Sequence, residues 1–269
     1  MPLRHFIEMN RLPAITGWLW VKEGFALFRM QPLTLSMLFV SYMFLMILIG
    51  LIPLLGQLLP LLLLPVFSLA FLRASAQVRA AQAVRPNLLF EGFRSPHLKR
   101  LVLLGSLQLL VATAALGASS LIDGGLLWKI LSGQIALDPK VVAGSNLGLA
   151  MLFSAALYVP ASMAFWYAAP LIAWHQMGVG KAVFYSFFAV LRETRAYLVY
   201  GVAWAGIAVF LPAFLSLLLA VLFKNPGLIV VVMMPVSLLL TVVLYASFYV
   251  TYTDVFGTEP APPFIDIAV

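Results

Sequence analysis

The chain has 269 residues, of which 64% are hydrophobic and only 9% are charged, and its mean hydropathy is +1.07. This composition excludes a water-soluble globule, because too few polar side chains are available to cover its surface. The absence of cysteine excludes disulfide bonds and thiolate metal sites. The sequence therefore predicts an integral membrane protein.

The first predicted element is a short amphipathic helix that precedes the apolar bulk of the chain. Its apolar residues recur at steps of three or four positions, which is typical of one helix face: Ile15, Trp18, Val21, Phe25 and Phe28. Trp18 and Trp20 suit the lipid headgroup region. Arg29 closes the segment, and Pro32 begins the next helix. We expect this helix to lie along the cytoplasmic leaflet.

Six apolar windows follow, each long enough to cross a hydrocarbon core of about 30 Å. They are residues 33–52, 54–72, 101–122, 147–174, 197–223 and 228–250. The sequence lacks the alternating segments that are typical of an outer-membrane barrel. The predicted fold class is therefore an all-α integral membrane protein with six transmembrane helices.

A repeated pattern organises these windows. Three short amphipathic segments end in an arginine, and two spans follow each: Phe25, Phe28 and Arg29; Phe90, Phe93 and Arg94; Phe188, Leu191 and Arg192. The returning spans each carry a proline and a serine: Pro65 and Ser68; Pro160 and Ser162; Pro235 and Ser237. We predict three repeated hairpins, about 13–84, 85–178 and 179–257, in one membrane domain 1–257. Residues 258–269 are predicted to form a short cytoplasmic tail.

One connection between spans is long enough to carry structure of its own. The stretch 123–146 contains apolar residues for one short helix at Leu126–Leu131, and Asp123 is placed to cap its N-terminus. We expect this helix to dip into the outer membrane interface.

Basic residues predict the orientation, because lysine and arginine in short loops resist translocation. Thirteen lie before the first span or around the even-numbered connections: Arg4, Arg11, Lys22, Arg29, Arg73, Arg79, Arg85, Arg94, Lys99, Arg100, Lys181, Arg192 and Arg195. The opposite face holds three: Lys129, Lys140 and Lys224. Both termini are therefore predicted to be cytoplasmic. The formal charge of +7 follows from this bias, and we expect no nucleic-acid partner.

Several segments resemble a known family. They are WLWVKEGFALFRMQP (residues 18–32), IPLLGQLLPLLLLPVFS (52–68), FEGFR (90–94), Asp123-Gly124-Gly125 and residues 169–201. Over residues 17–257 the chain resembles an uncharacterised family of proteobacterial six-helix inner-membrane proteins. More distantly, it is similar to the membrane domain fused to some glycerophosphodiester phosphodiesterases. The soluble phosphodiesterase domain has no counterpart here, so the resemblance implies no catalytic residue.

No residue cluster indicates catalysis or a cofactor. Ser119 and Ser120 superficially resemble a serine protease motif, but the glycine after the serine and a matching histidine are missing. His97 and His175 are both predicted near the cytoplasmic interface, where hydrogen bonding is favoured over a paired-histidine haem site. Asp123 and Asp254 are predicted at opposite membrane faces. We expect no enzyme activity, no metal and no cofactor.

The membrane interior is predicted to hold no ionisable carboxylate, which disfavours ion-coupled transport. The polar residues at depth are typical of hydrogen bonds between helices: Gln108, Ser154, Tyr158, Thr241 and Tyr245. Our first hypothesis is a non-catalytic inner-membrane protein that associates with a membrane-protein partner or with itself, as scaffold, assembly factor or accessory subunit. The alternative is handling of a lipid or other amphiphilic molecule. Membrane lipids are expected partners, with Arg29, Arg94 and Arg192 forming a basic collar that contacts anionic lipid.

Overall fold

The computed structural model of the chain describes residues 11–52, 56, 58–136, 138, 144–223 and 226–257, and within them the regular structure is helical with no strand. The predicted tail 258–269 lies outside the described residues.

The helices are numbered in chain order. They are α1 (Thr16–Met30), α2 (Pro32–Gly50), α3 (Leu59–Arg79), α4 (Glu91–Arg94), α5 (Leu98–Asp123), α6 (Leu126–Leu131), α7 (Leu147–Phe165), α8 (Ala168–His175), α9 (Val179–Arg192), α10 (Thr194–Phe223) and α11 (Pro226–Phe256). A 3₁₀ turn, Pro86–Phe90, precedes α4.

Six of these helical stretches are long and apolar enough to cross a membrane: α2, α3, α5, α7 with α8, α10 and α11. They are spans one to six, and they confirm the six predicted windows. Two run past their predicted ends, since α3 continues to Arg79 and α11 to Phe256. The apolar run of α3 ends near Arg73; beyond it, Arg79 at the end of α3 contacts Glu23 of α1 and Thr253 near the end of α11.

The chain divides into two compact units. The first consists of the described residues of Met1–Gly56, Val66–Ser95 and Leu191–Val269, and the second of those of Gln57–Pro65 and Pro96–Val190. Helix α3 contributes to both, with the division falling after Pro65.

The core of the first unit lies at one end of its helices. Phe71 stacks on Tyr245 with ring centroids 4.5 Å apart, and Phe39 lies within 6.2 Å of both rings. Buried residues fall at the start of span one, the start of span five and the end of span six. No side chain is buried in residues 40–52, 205–223 or 227–241, among those whose side chains the structure describes. The opposite end of this unit is therefore apolar and open.

Close contacts between its own helices hold the second unit together. Gly105 of α5 lies against the backbone of Leu62, where a Cβ would meet the Leu62 carbonyl oxygen. Ser154 of α7 donates a hydrogen bond to the Ala115 carbonyl of α5 at 3.3 Å. This bond between two helices confirms the predicted role of Ser154.

The connection after α5 contains the predicted helix. Helix α6 runs from Leu126 to Leu131, and the Asp123 carboxylate accepts hydrogen bonds from the N–H groups of Gly125, at 2.9 Å, and Leu127, at 2.7 Å. Asp123 thus satisfies backbone donors that a helix N-terminus leaves unpaired. Both the bounds of the helix and its capping residue are confirmed.

Candidate functional site

The three arginine-ended segments are the first place to look for function, and the first of them is helix α1. It packs between α10 and α11 of the first unit. A Cβ at Gly24 would lie 2.5 Å from the Ser247 Cβ of α11, and one at Gly17 would meet the Ala196 carbonyl of α10. Only glycine allows such close approach, so these two residues bring α1 into contact with spans five and six.

The face of α1 that packs on α10 and α11 includes Val21 of the predicted apolar face. Its buried residues are Thr16, Gly17, Trp20, Val21, Gly24 and Leu27. Ile15 and Trp18 are instead exposed. The Trp20 side chain is fully buried rather than turned outward, and its Nε1 donates a hydrogen bond to Asp254 Oδ2 at 2.7 Å. Helix α1 is thus a packed part of the bundle with a second face left open.

An ionic cluster locks the end of span two to α1 and span six. The Arg79 guanidinium lies 3.0 Å from Glu23 Oε2 and donates a hydrogen bond to the Thr253 hydroxyl at 3.0 Å. Its Cζ lies 5.5 Å from the Tyr249 ring centroid, in a cation–π contact. The sequence did not predict this cluster, because Arg79 and Thr253 are 174 positions apart in the chain.

The second arginine-ended segment packs on span two. Gly92 lies against the Val66 carbonyl, and the Phe93 and Phe67 rings meet edge to face with centroids 5.3 Å apart. Arg73 Nε forms an ion pair with Glu91 Oε1 at 3.2 Å. Burial raises the pKa of Glu91, and the Arg73 guanidinium opposes that shift.

The third segment, α9, packs against span four where that helix is interrupted. Pro170 cannot donate to the Trp166 carbonyl and crowds it, and span four is interrupted between Phe165 and Ala168. The buried Ser186 hydroxyl of α9 accepts a hydrogen bond from the Tyr167 N–H at 2.8 Å and donates one to the Met163 carbonyl at 2.9 Å. These bonds satisfy the interrupted backbone, which lipid cannot do.

Each of the three predicted lipid-contact arginines lies in the last turn of a helix. Arg29 belongs to α1, Arg94 to α4 and Arg192 to α9. Arg29 and Arg94 are exposed. Arg192 is half-buried, and its Nε lies 3.3 Å from Glu193 Oε1; within the described residues it is the one of the three with a carboxylate partner.

The remaining candidates behave as structural groups. Ser119 and Ser120 donate hydrogen bonds to the carbonyls of Leu116 and Gly117 in their own helix. Thr241 does the same with Ser237. Among the residues that the structure describes, no group of three or more histidine and carboxylate side chains is arranged to hold a metal ion.

The structure is that of a multi-pass α-helical membrane protein, because six of its helices are long and apolar enough to cross a membrane. The Arg79 cluster lies at helix ends, and the other end of the first unit is apolar and open. The chain is 38% identical, over 263 residues, to a protein of Burkholderia thailandensis described as a probable inner membrane protein. The match covers 96% of this chain and 97% of that protein. The chain therefore belongs to the family of that protein and is a multi-pass protein of the bacterial inner membrane. No family model matches the chain, and no solved structure matches it significantly.

Proposed function

We propose that this protein acts without catalysis, by associating within the inner membrane with a membrane-protein partner or a second copy of itself. Its role would be that of a scaffold, assembly factor or accessory subunit. The observation that supports this is the one-ended core of the first unit, which leaves half of three spans without a buried side chain.

Span five carries this argument furthest. Of its 30 residues, the buried ones are Ala196, Tyr200 and Trp204, and none lies beyond Trp204. Beyond them Phe210 and Phe214 are 75% and 63% exposed, and on span six Met234 is 74% exposed. Lipid tails are as apolar as these side chains, so the hydrophobic effect does not drive helices together in a membrane. Association depends instead on close packing between helices. The open ends of these two helices, which are apolar except for Ser216 on span five and Ser237 and Thr241 on span six, provide a surface for such packing.

We further propose that the chain consists of three hairpins, each preceded by an amphipathic cytoplasmic helix, with both termini in the cytoplasm. A repeated contact supports this. The first arginine-ended segment packs on span six, the second on span two and the third on span four. The second and third segments therefore each contact the even-numbered span of the hairpin that precedes them, and the first segment contacts that of the last hairpin. The distant similarity to the membrane domain of glycerophosphodiester phosphodiesterases is part of this proposal and concerns architecture alone.

The test of association is extraction of the protein from native membranes in a polymer belt or mild detergent, followed by native mass spectrometry. We expect a stoichiometric partner or a homo-oligomer. A monomer alone in several extraction conditions would contradict the proposal.

The proposed basic collar has a separate test. Replacing Arg29, Arg94 and Arg192 together by Gln is expected to remove co-purifying anionic lipid and to make membrane insertion less uniform, since each base contributes about 1 kcal/mol near an anionic surface. Unchanged lipid content and topology would leave these residues as ordinary positive-inside residues.

The second candidate function is handling of a lipid or other amphiphile. It is favoured by the prolines inside spans two, four and six, at Pro65, Pro160 and Pro235. Pro212 also lies inside span five, so internal proline is not confined to the even-numbered spans. For this reason association is the function we place first.

A further inference from the structure

A shallow apolar groove runs between α1 and the start of α10 in the first unit. It has a volume of about 480 Å³, and its walls are Trp18 on one side and Leu198, Val199, Val202 and Ala203 on the other. Its size falls within the range of about 300–1,000 Å³ that is usual for small-ligand sites. Leu198 and Val202 are 62% and 72% exposed, so the groove is open along its length.

One base lies over a wall of this groove, and helical spacing places a second base one turn before it on α10. The Lys22 ammonium lies 5.7 Å from the centroid of the Trp18 ring, which is a groove wall. Arg195 is exposed and precedes Leu198 and Val202 by three and seven residues, which places it on the same face of α10. The groove therefore has apolar walls with cationic groups beside them.

The neighbouring acidic residues are already engaged. Glu23, next to Lys22, pairs with Arg79 at 3.0 Å. Glu193 is buried, pairs with Arg192 at 3.3 Å and accepts the Leu12 N–H at 2.8 Å. In the described part of the chain, no ion pair joins a carboxylate to Lys22 or Arg195. Their positive charges are thus available to an anion.

We propose that this groove binds one anionic phospholipid from the surrounding leaflet. One acyl chain lies along the α10 wall, and the phosphate lies between Lys22 and Arg195. Trp18 fits this arrangement, because an amphipathic indole with one face on an acyl chain and a cation over its ring suits the membrane interface. Charge complementarity selects an anionic lipid over a zwitterionic one. This site is separate from the open ends of spans five and six.

The test is native mass spectrometry of the purified protein titrated with phosphatidylglycerol or with phosphatidylcholine, measured on the monomer peak. Measured in that way, the result is independent of whether the protein has a partner. Wild-type protein is expected to prefer phosphatidylglycerol. The Lys22→Gln/Arg195→Gln variant should lose roughly tenfold or more of that affinity and lose the preference, given about 1 kcal/mol per base.

Two matched controls separate this site from general charge and bulk. Arg85→Gln/Lys181→Gln removes the same charges from exposed positions, and Lys181 makes a similar cation–π contact, 5.8 Å from the Tyr185 ring. It should bind as wild type does. Val202→Trp fills the groove and should weaken both lipids, whereas Val209→Trp, outside the groove on the same helix, should not. Equal binding of both lipids by wild type, or equal loss in a variant and its control, would overturn the proposal.

Discussion

At the scale of single residues, the polar side chains act chiefly where the helical backbone or a neighbouring charge would otherwise be unpaired. Ser186, Asp123 and Trp20 each complete hydrogen bonds of this kind. Where water is excluded, removing one member of such a hydrogen-bonded pair destabilises the protein, because the other member is left buried without that hydrogen bond.

Replacing Ser186 by Ala should destabilise the protein by about 1–3 kcal/mol, because the Tyr167 N–H and the Met163 carbonyl would lose their partner. The thermal midpoint in detergent measures this. Ser162→Ala is the control, since the Ser162 hydroxyl is exposed and bonds only within its own helix. Equal midpoints for the two variants would contradict the account of the break in span four.

The stability of the protein should depend on pH through Glu91. Its pKa is raised in the folded protein by burial, so its contribution to stability is complete at low pH and is lost as pH rises through the folded pKa. Arg73→Gln removes the charge that opposes this shift. The loss of thermal stability in this variant should therefore be larger at pH 8 than at pH 5. Adding Glu91→Gln should abolish that difference, and a pH-independent loss in the single variant would count against the pair.

At the scale of elements, small residues make the closest contacts of the short helices, at Gly17 and Gly24 of α1 and at Ser186 of α9. In α9 the buried residues are Ala182, Ser186, Ala189 and Val190, whereas Leu191 is exposed. Helical periodicity predicted that α1 and α9 exist and where they end. It did not predict which residues of α1 pack on α10 and α11, where close approach depends on Gly17 and Gly24.

Replacing Gly24 by Ala should loosen α1, since the added Cβ would lie 2.5 Å from the Ser247 Cβ. We expect a lower thermal midpoint and faster proteolysis before span one. Gly201→Ala is the matched control, because nothing lies within 4 Å of a Cβ there and alanine is the better helix former. A Gly24 variant as stable as the Gly201 variant would show that α1 is not held by this contact.

At the scale of the whole molecule, hydropathy alone predicted six spans, and the positions of Asp123 and α6 followed from capping rules. The Arg79 cluster and the Ser186 bonds were not predictable from one sequence, because they join residues 19 to 174 positions apart. The open apolar end of the first unit was equally hidden, since an exposed and a buried apolar residue have the same hydropathy.

The proposed orientation is testable without background labelling, because the chain has no cysteine. Asn87→Cys lies between spans two and three and Ser132→Cys between spans three and four, and both positions are exposed. With a membrane-impermeant maleimide, Ser132→Cys should label from outside spheroplasts and Asn87→Cys only after lysis. The reverse pattern would place the basic connections outside and contradict the orientation.

Association through the open end is the central claim, and site-directed photo-crosslinking in native membranes tests it most directly. A photoreactive residue in place of Phe214 or Met234 probes the open end, and one in place of Leu33, which is 72% exposed at the start of span one, is the control. We predict a discrete protein adduct from the first two positions and none from Leu33. Adducts with lipid alone at Phe214 and Met234, or the same protein adduct at all three positions, would contradict the account.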